Sequence, residues 1–326
     1  MFGSQKPTIL IDGAFGQDGT IIVAELCKLS AANIHILTHR EGPLSIPEPW
    51  DADKIKVSYW DSKCYAVLCA LLQEISPVFY INLAAYHQSA RSMAVCQEQS
   101  LLYSNNYSRS AMIISALCRL IPDCHFHYAS SSLIHTAAFC GQKIFPSTMP
   151  TPMLPYGVAK ARVMYLIGLY RNMYGLKAAV SVMFNHDSHF KKGHYLLQKI
   201  AHYVGAVLRQ GVQKCGKLHI ENIGATYDLS TAYTVAKQVI DISLNHREGS
   251  YVLASGVPTS VREILQWAFS FASLQWEDFV EYKKDELLPY LLGVPSFSSS
   301  TCDGVNVEKE EQKRLVEDMV AFQLSA

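Results

Sequence analysis

The first thirty residues restrict the fold more than any other stretch. Thr8-Ile9-Leu10-Ile11-Asp12 is a short apolar run and reads as a buried strand. It passes directly into Gly13-Ala14-Phe15-Gly16-Gln17-Asp18-Gly19, and a helical pattern follows from Thr20 to Leu29. Strand, glycine turn and helix, in that order, is the setting in which a glycine motif marks a dinucleotide site. Glycines let the backbone approach a pyrophosphate, and the helix N-terminus offers free N–H groups and a positive dipole.

Strand and helix then alternate. Ile34–Thr38 reads as a second strand, with His39 and Arg40 at its end and Glu41 beyond. A cation there suits the 2′-phosphate of NADP, with NAD as the alternative, because NAD sites place an acidic residue at this point. Ile55–Ser58 is a short third strand followed by Asp61, and residues 62–75 read as a helix. Val78–Leu83 is a fourth strand, followed by Ala84 and Ala85, small enough for a cofactor to pass close to the backbone. A helix over 98–120 leads to a strand over Cys124–Tyr128, where His125 and His127 share a face. No carboxylate or Cys stands at ligand spacing from them, so they read as packed strand histidines and no metal site is expected.

Alternation to about residue 184 predicts an α/β fold, a Rossmann-like doubly wound parallel sheet. Residues 1–184 form the dinucleotide-binding domain on this reading. Residues 185–326 form mainly a small C-terminal substrate-binding lobe, with helices and strands returning to the sheet. Helices are expected over 195–210, 231–246 and 259–272, the last capped by Thr259 or Ser260, and strands over 219–223 and 251–254. A charged amphipathic helix is expected over 308–324, after a Ser-rich stretch at 293–304.

A second constellation lies between Tyr128 and Lys160. It comprises Ala129-Ser130-Ser131-Ser132 and then Tyr156-Gly157-Val158-Ala159-Lys160. A Tyr and a Lys four residues apart share one face of a helix. The ammonium favours the phenolate, which makes a proton donor or acceptor that works near neutral pH. A serine hydroxyl at the strand end could hold the substrate oxygen that exchanges this proton. Such a pair also arises in ordinary amphipathic helices; the N-terminal glycine turn is what gives it weight.

Charge and cysteine content exclude several classes. Lys+Arg and Asp+Glu both count 28, so neither nucleic acid nor an anionic membrane is expected as a partner, while self-association is unsurprising at a pI near 7.2. The nine Cys are odd in number and contain no Cys-x-x-Cys, which points to reduced thiols in a cytoplasmic protein. Met1–Pro7 lacks the apolar run of a signal peptide, and the apolar stretch Ala111–Ile121 is too short to span a bilayer.

Together the motifs resemble the extended short-chain dehydrogenase/reductase family, and within it the GDP-mannose 4,6-dehydratase group, over roughly residues 8–270. The likeness is sharpest at Gly16-Gln17-Asp18-Gly19, Asn82-Leu83-Ala84-Ala85, Ala129-Ser130-Ser131-Ser132, Tyr156-Gly157-Val158-Ala159-Lys160, Phe184-Asn185-His186-Asp187-Ser188 and Ser260-Val261-Arg262-Glu263. The resemblance implies cofactor binding by Gly13, Phe15, Gly16, Gln17, Asp18, His39, Arg40, Asp61, Leu83, Ala84 and Ala85, with Tyr156 and Lys160. It implies catalysis at a sugar C4 hydroxyl by Ser131, Tyr156 and Lys160. It also implies contact of Ser132 and Asn185 with a nucleotide-sugar, a GDP-sugar by likeness, and a homo-oligomer, dimer or tetramer. Three departures stand out. The glutamate expected after the serine run is Leu133, a Lys-Arg-Asp segment reads Thr226-Tyr227-Asp228, and an Arg-Pro pair reads Leu288-Pro289-Tyr290. Two functions remain open: redox chemistry at sugar C4, by a dehydratase, oxidoreductase or epimerase, and a non-catalytic cofactor-binding relative acting as a regulatory subunit.

Overall fold

The computed structural model describes residues 6–29, 32–42, 44–48, 50–86, 96–135, 143–191, 195–282 and 309–325. The N-terminal strand β1 (Thr8–Asp12) lies inside a seven-stranded sheet with β2 (Asn33–Thr38), β3 (Ile55–Tyr59), β4 (Phe79–Asn82), β5 (His125–Ser131), β6 (Ala178–Met183) and β10 (Gly249–Leu253). The order is β10-β6-β5-β4-β1-β2-β3, and the pairs β1–β2, β1–β4, β2–β3, β4–β5 and β5–β6 are parallel. A parallel strand covered on both faces should be apolar throughout. β6 is buried along its whole length, and Ile9, Leu10 and Ile11 are likewise buried. Ile9, Leu10 and Ile11 each contribute roughly 1.5–3 kcal/mol through burial.

Helices cover both faces. On one face, Leu10, Tyr80, Phe126, Tyr128 and Val180 pack against Leu68 of α2 (Tyr65–Ile75), Ile113 and Leu117 of α4 (Arg109–Leu120), and Val163 and Ile167 of α5 (Pro155–Tyr174). On the other, His127 of β5 is bracketed by Ser181 of β6 at 2.9 Å and Ser243 of α8 (Ala232–Leu244) at 3.0 Å. His127 is thus a packed strand histidine. Burial pulls its pKa down to about 3, so the ring is neutral. His125 bonds the Arg247 carbonyl at 2.9 Å, and no metal-holding group of His, Cys, Asp or Glu occurs among the described residues.

The described residues fall into two compact units. One is drawn from Met1–His135, Met149–Met183 and Tyr233–Tyr251, the other from Thr136–Thr148, Phe184–Ala232 and Val252–Ala326. The second unit holds more strand than its sequence suggests. β7 (Asn185–Asp187) pairs with β9 (Thr226–Thr231), which pairs with β11 (Pro258–Ser260), and β8 (Leu218–Ile220) pairs with β12 (Val280–Tyr282). Three-residue strands are too short to show a period of two, which is why they escape pattern reading. α6 (Leu196–Gln210), α9 (Val261–Phe271) and α11 (Lys309–Ser325) enclose a core with Ile200, Val204, Leu265, Phe269, Val316 and Val320. Ser260 is the N-cap of α9 and forms a full capping box with Glu263. The Ser-rich stretch 293–304 and Leu288-Pro289-Tyr290 lie outside the described residues. No helix among the described residues is long and apolar enough to cross a membrane.

Candidate active site

The glycine turn sits at the carboxyl edge of the sheet. Gly13 has φ +84°, and a Cβ there would lie 2.6–2.8 Å from backbone atoms of Leu83 and Ala84. Only glycine permits both the left-handed backbone and this approach. The Leu83 N–H donates to the Asp12 carbonyl at 2.8 Å and the Gly16 N–H to the Gly13 carbonyl at 3.1 Å. Helix α1 (Gln17–Leu29) starts at Gln17, three residues earlier than its apolar pattern suggests, so Gln17 and Asp18 form its first turn. The first turn of a helix presents N–H groups and a positive dipole, which is an anion-binding feature. Asn82 ends β4 beside the turn and is 1% exposed, yet neither polar atom of its amide finds a partner among the described residues. A glycine cradle, a helix N-terminus and an unspent buried amide fit a dinucleotide.

The second strand brings its cation to this turn. The Arg40 guanidinium lies 5.5 Å from the Phe15 ring centroid, and Phe15 packs on Trp50 at 5.2 Å. His39 is less suited to hold charge, because burial, and then the nearby Arg109 cation, pull its pKa below the usual histidine value. Glu41 accepts a 2.7 Å hydrogen bond from Tyr59. Thr38, Arg40, Leu44, Val57 and Tyr59 line an open groove of about 440 Å³. Asp61 is exposed and caps its own turn, its Oδ1 accepting from the N–H groups of Lys63 at 2.9 Å and Cys64 at 3.2 Å. Leu83 and Ala84 are half-buried, and Ala85 is exposed.

The second constellation assembles where β5 meets α5. Strand β5 runs into the serine run and ends at Ser131. The Ser131 Oγ accepts from the Leu133 N–H at 3.3 Å, capping a 3-10 turn over Ser132–Ile134 in which Ser132 is buried. Pro155 occupies the first turn of α5, where its missing N–H costs nothing. Gly157 lets that helix close on the turn: a Cβ would lie 2.2 Å from the Leu133 carbonyl oxygen. Leu133 therefore packs with Tyr156, Ala159 and Leu102. Lys160 is 2% exposed, and its Nζ donates to the Ala129 carbonyl at 2.8 Å. The same Nζ lies 4.7 Å from the Tyr128 ring centroid and 5.7 Å from that of Tyr156. Burial pulls the Lys160 ammonium down to about 7. Beside Tyr156, such a group can hold or release a proton near neutral pH. His135, which closes that 3-10 turn, is 1% exposed, with Nδ1 unpartnered among the described residues. Burial, outweighing a bond to the Met149 backbone, lowers its pKa.

Three buried side chains went unread in the sequence. Arg109 and Asp12 form a bidentate pair, through Nη1 to Oδ2 and through Nη2 to Oδ1, the latter at 2.8 Å. Asn106 grips Tyr86 with both ends of its amide, each at 2.9 Å. The signals were present: Asp12 is a charge ending an apolar strand, and Arg109 precedes Ile113 and Leu117 on one helix stripe. Ser104-Asn105-Asn106-Tyr107-Ser108 is a run of poor helix formers, and it winds as a π turn within the expected helix. In the second unit, Asn185 pairs in register with Leu229. Asp228 is fully buried and accepts from the Ser255 N–H at 2.7 Å, the Ser255 hydroxyl at 2.9 Å and the Gly256 N–H at 2.8 Å.

Known proteins share this architecture. A solved dTDP-glucose 4,6-dehydratase from Bacillus anthracis, in complex with NAD, superposes with a TM-score of 0.77 at 14% identity, covering 97% of this chain and 96% of that one. A UDP-glucose 4-epimerase from Thermotoga maritima, with UDP-glucose, gives 0.75 at 17% identity, covering 97% and 99%. RMD from Pseudomonas aeruginosa, complexed with NADPH, gives 0.73 at 17% identity, covering 98% and 99%. These likenesses establish the fold. In sequence, the GDP-mannose 4,6-dehydratase of Sinorhizobium fredii is 27% identical over 277 residues, 82% of this chain and 76% of the relative. The human GDP-mannose 4,6 dehydratase is 25% identical over 279 residues, 82% and 73%. A family profile described as GDP-mannose 4,6 dehydratase matches residues 10–316, and the chain therefore belongs to that family.

Proposed function

We propose that the chain is a nicotinamide-dinucleotide-dependent enzyme that performs redox chemistry at C4 of a nucleotide-sugar, a GDP-sugar by family, and that it prefers NADP. The observation that carries this reading is Lys160, a buried ammonium brought down to about 7 beside Tyr156. A scaffold has no need to bury a titrating Lys there, since the desolvation of an ammonium is costly. Relatives in complex with NAD or NADPH, and others with UDP-sugars, support the cofactor and substrate classes.

The glycine turn, the first turn of α1 and Asn82 would hold the dinucleotide, with Arg40 toward a 2′-phosphate. When bound, the nicotinamide supplies the site that accepts or returns a hydride. Tyr156 takes the proton of the C4 hydroxyl as its general base, and Ser131 orients that oxygen. Lys160 stabilises the phenolate electrostatically. Asn185 and Ser132 contact the sugar nucleotide on this reading. The elimination step lacks its base, because Leu133 carries neither lone pair nor proton and packs against Tyr156. The expected product is therefore a 4-keto sugar, or its C4 epimer or reduced form, with the C6 hydroxyl retained. Leu133 also favours the rival reading, a regulatory subunit that holds cofactor without turnover. The exposed stripe Tyr165, Leu169 and Met173 along α5 supports self-association of the chain.

Calorimetric titration with NADPH and NADH tests the cofactor assignment. Tighter binding of NADPH, reduced to the level of NADH in Arg40→Ala, is expected. Equal affinities in the unmodified protein would remove the NADP preference.

A further inference from the structure

We propose that Arg109 is a positioning residue for the part of the dinucleotide site beside Arg40, where the 2′-phosphate and its adenosine would lie, acting through Ser62 and Trp60 on the neighbouring turn that carries Asp61. The inference rests on the cofactor reading given above. Ligands of open α/β sheets bind outside the carboxyl ends of the strands. Arg109 ties three of those ends together and, through Asp12, reaches a side chain of a fourth strand. It holds Asp12 at the end of β1, and Asp12 accepts at 3.2 Å from the hydroxyl of Tyr80 in β4. Its Nε donates to the Ser62 Oγ at 2.7 Å, in the turn after β3. Its guanidinium lies 4.9 Å from the centroid of the Trp60 ring. Trp60 in turn donates its backbone N–H to the Thr38 carbonyl at the end of β2, at 2.8 Å, and its indole N–H to the Cys64 carbonyl at 3.0 Å.

The Ser62 backbone shows what this contact is for. Ser62 has φ +66°, a left-handed conformation that a glycine would adopt without strain. The serine is of use there only for its hydroxyl, and that hydroxyl accepts from Arg109. Ser62 follows Asp61 directly, so the bond fixes the turn in which Asp61 accepts from Lys63 and Cys64. Arg109 itself is 3% exposed and its charge is matched by Asp12, so its role is to fix neighbours rather than to attract phosphate. The π turn at Ser104–Ser108 ends directly before Arg109, whose N–H donates to the Ser104 carbonyl.

The test is calorimetric titration of the unmodified protein, Ser62→Ala and Arg109→Lys with NADPH and with 2′-phospho-ADP-ribose, which differs from it by lacking the nicotinamide. Amide hydrogen exchange of residues 60–64 is measured in parallel. Both variants should bind both ligands about tenfold more weakly, by the same factor for each. Residues 60–64 should exchange faster while α5 is unchanged. Ser62→Ala deletes one hydroxyl, so it reports even if Arg109→Lys folds poorly. Unchanged affinities, or a loss confined to NADPH, would overturn the assignment while leaving the cofactor reading intact. Failure of the unmodified protein to bind NADPH would bring down that reading and this inference together.

Discussion

Replacing Arg109 by Met strands the Asp12 carboxylate in the protein interior. Both side chains of the pair are nearly dry, at 4% and 2% side-chain exposure. Removing one member of such a pair typically costs about 3–5 kcal/mol, because the remaining charge is buried without compensation. Loss of the Trp60 contact adds roughly 0.5–2 kcal/mol. Asp12→Leu should cost a similar amount, since it leaves a buried guanidinium and the Tyr80 hydroxyl without their acceptor. Replacing both partners by apolar groups is typically about neutral, so the double variant Asp12→Leu/Arg109→Met should recover most of the loss. In a domain of this size about 1 kcal/mol moves Tm by roughly 2–4 °C, which puts each single variant on the order of 10 °C below the parent. Urea unfolding followed by tryptophan fluorescence and far-UV circular dichroism gives the cycle, with an expected coupling energy of about 3 kcal/mol or more. Single variants that each cost less than about 1 kcal/mol, or a double variant equal to their sum, would refute the reasoning.

Two further perturbations follow from the same geometry. Gly157→Ala places a Cβ against the Leu133 carbonyl, so the start of α5 or the 132–134 turn must move, at about 1–3 kcal/mol. Tyr156 moves with it. Turnover should fall far more than thermal stability, and a variant with parental turnover would show that the close approach is unnecessary. His127 has its pKa lowered to about 3 from 6.5 by burial. The unfolded chain then binds the extra proton between those values, and stability should fall as pH drops through that window, on the order of 1 kcal/mol per pH unit. His127→Gln should flatten the dependence of the urea midpoint between pH 6.5 and 4; an unchanged slope would exclude His127 as its source.

The sheet was legible because its signal is strong. Central parallel strands must be apolar throughout, and Thr8–Asp12, Ile34–Thr38 and Ala178–Met183 are nearly so. Gly13 and Gly157 were legible as motif members, but their reason is visible only in three dimensions, in the backbone atoms of Ala84 and Leu133 that a Cβ would strike. The Asp12–Arg109 pair joins residues 97 apart in sequence, and no local periodicity reports a partner at that distance. The π turn was hidden for a different reason. Its flanks carry one continuous helical pattern, and a single extra residue in a turn hardly disturbs it. In the second unit, β7, β11 and β12 owe their form to pairing partners rather than to their own three residues.

The central claim is that Tyr156 and Lys160 serve redox chemistry at a sugar C4. The most direct measurement is deuterium transfer from GDP-mannose labelled at C4, with the cofactor and the sugar product both read by mass spectrometry. The account predicts one deuterium in the recovered nicotinamide cofactor where a 4-keto sugar accumulates, or deuterium kept at an inverted C4 where the epimer forms, neither with Tyr156→Phe, and a sugar that keeps its C6 oxygen. A protein that binds cofactor and GDP-mannose yet neither moves the label to the cofactor nor inverts C4, or does so equally well in Tyr156→Phe, would contradict it.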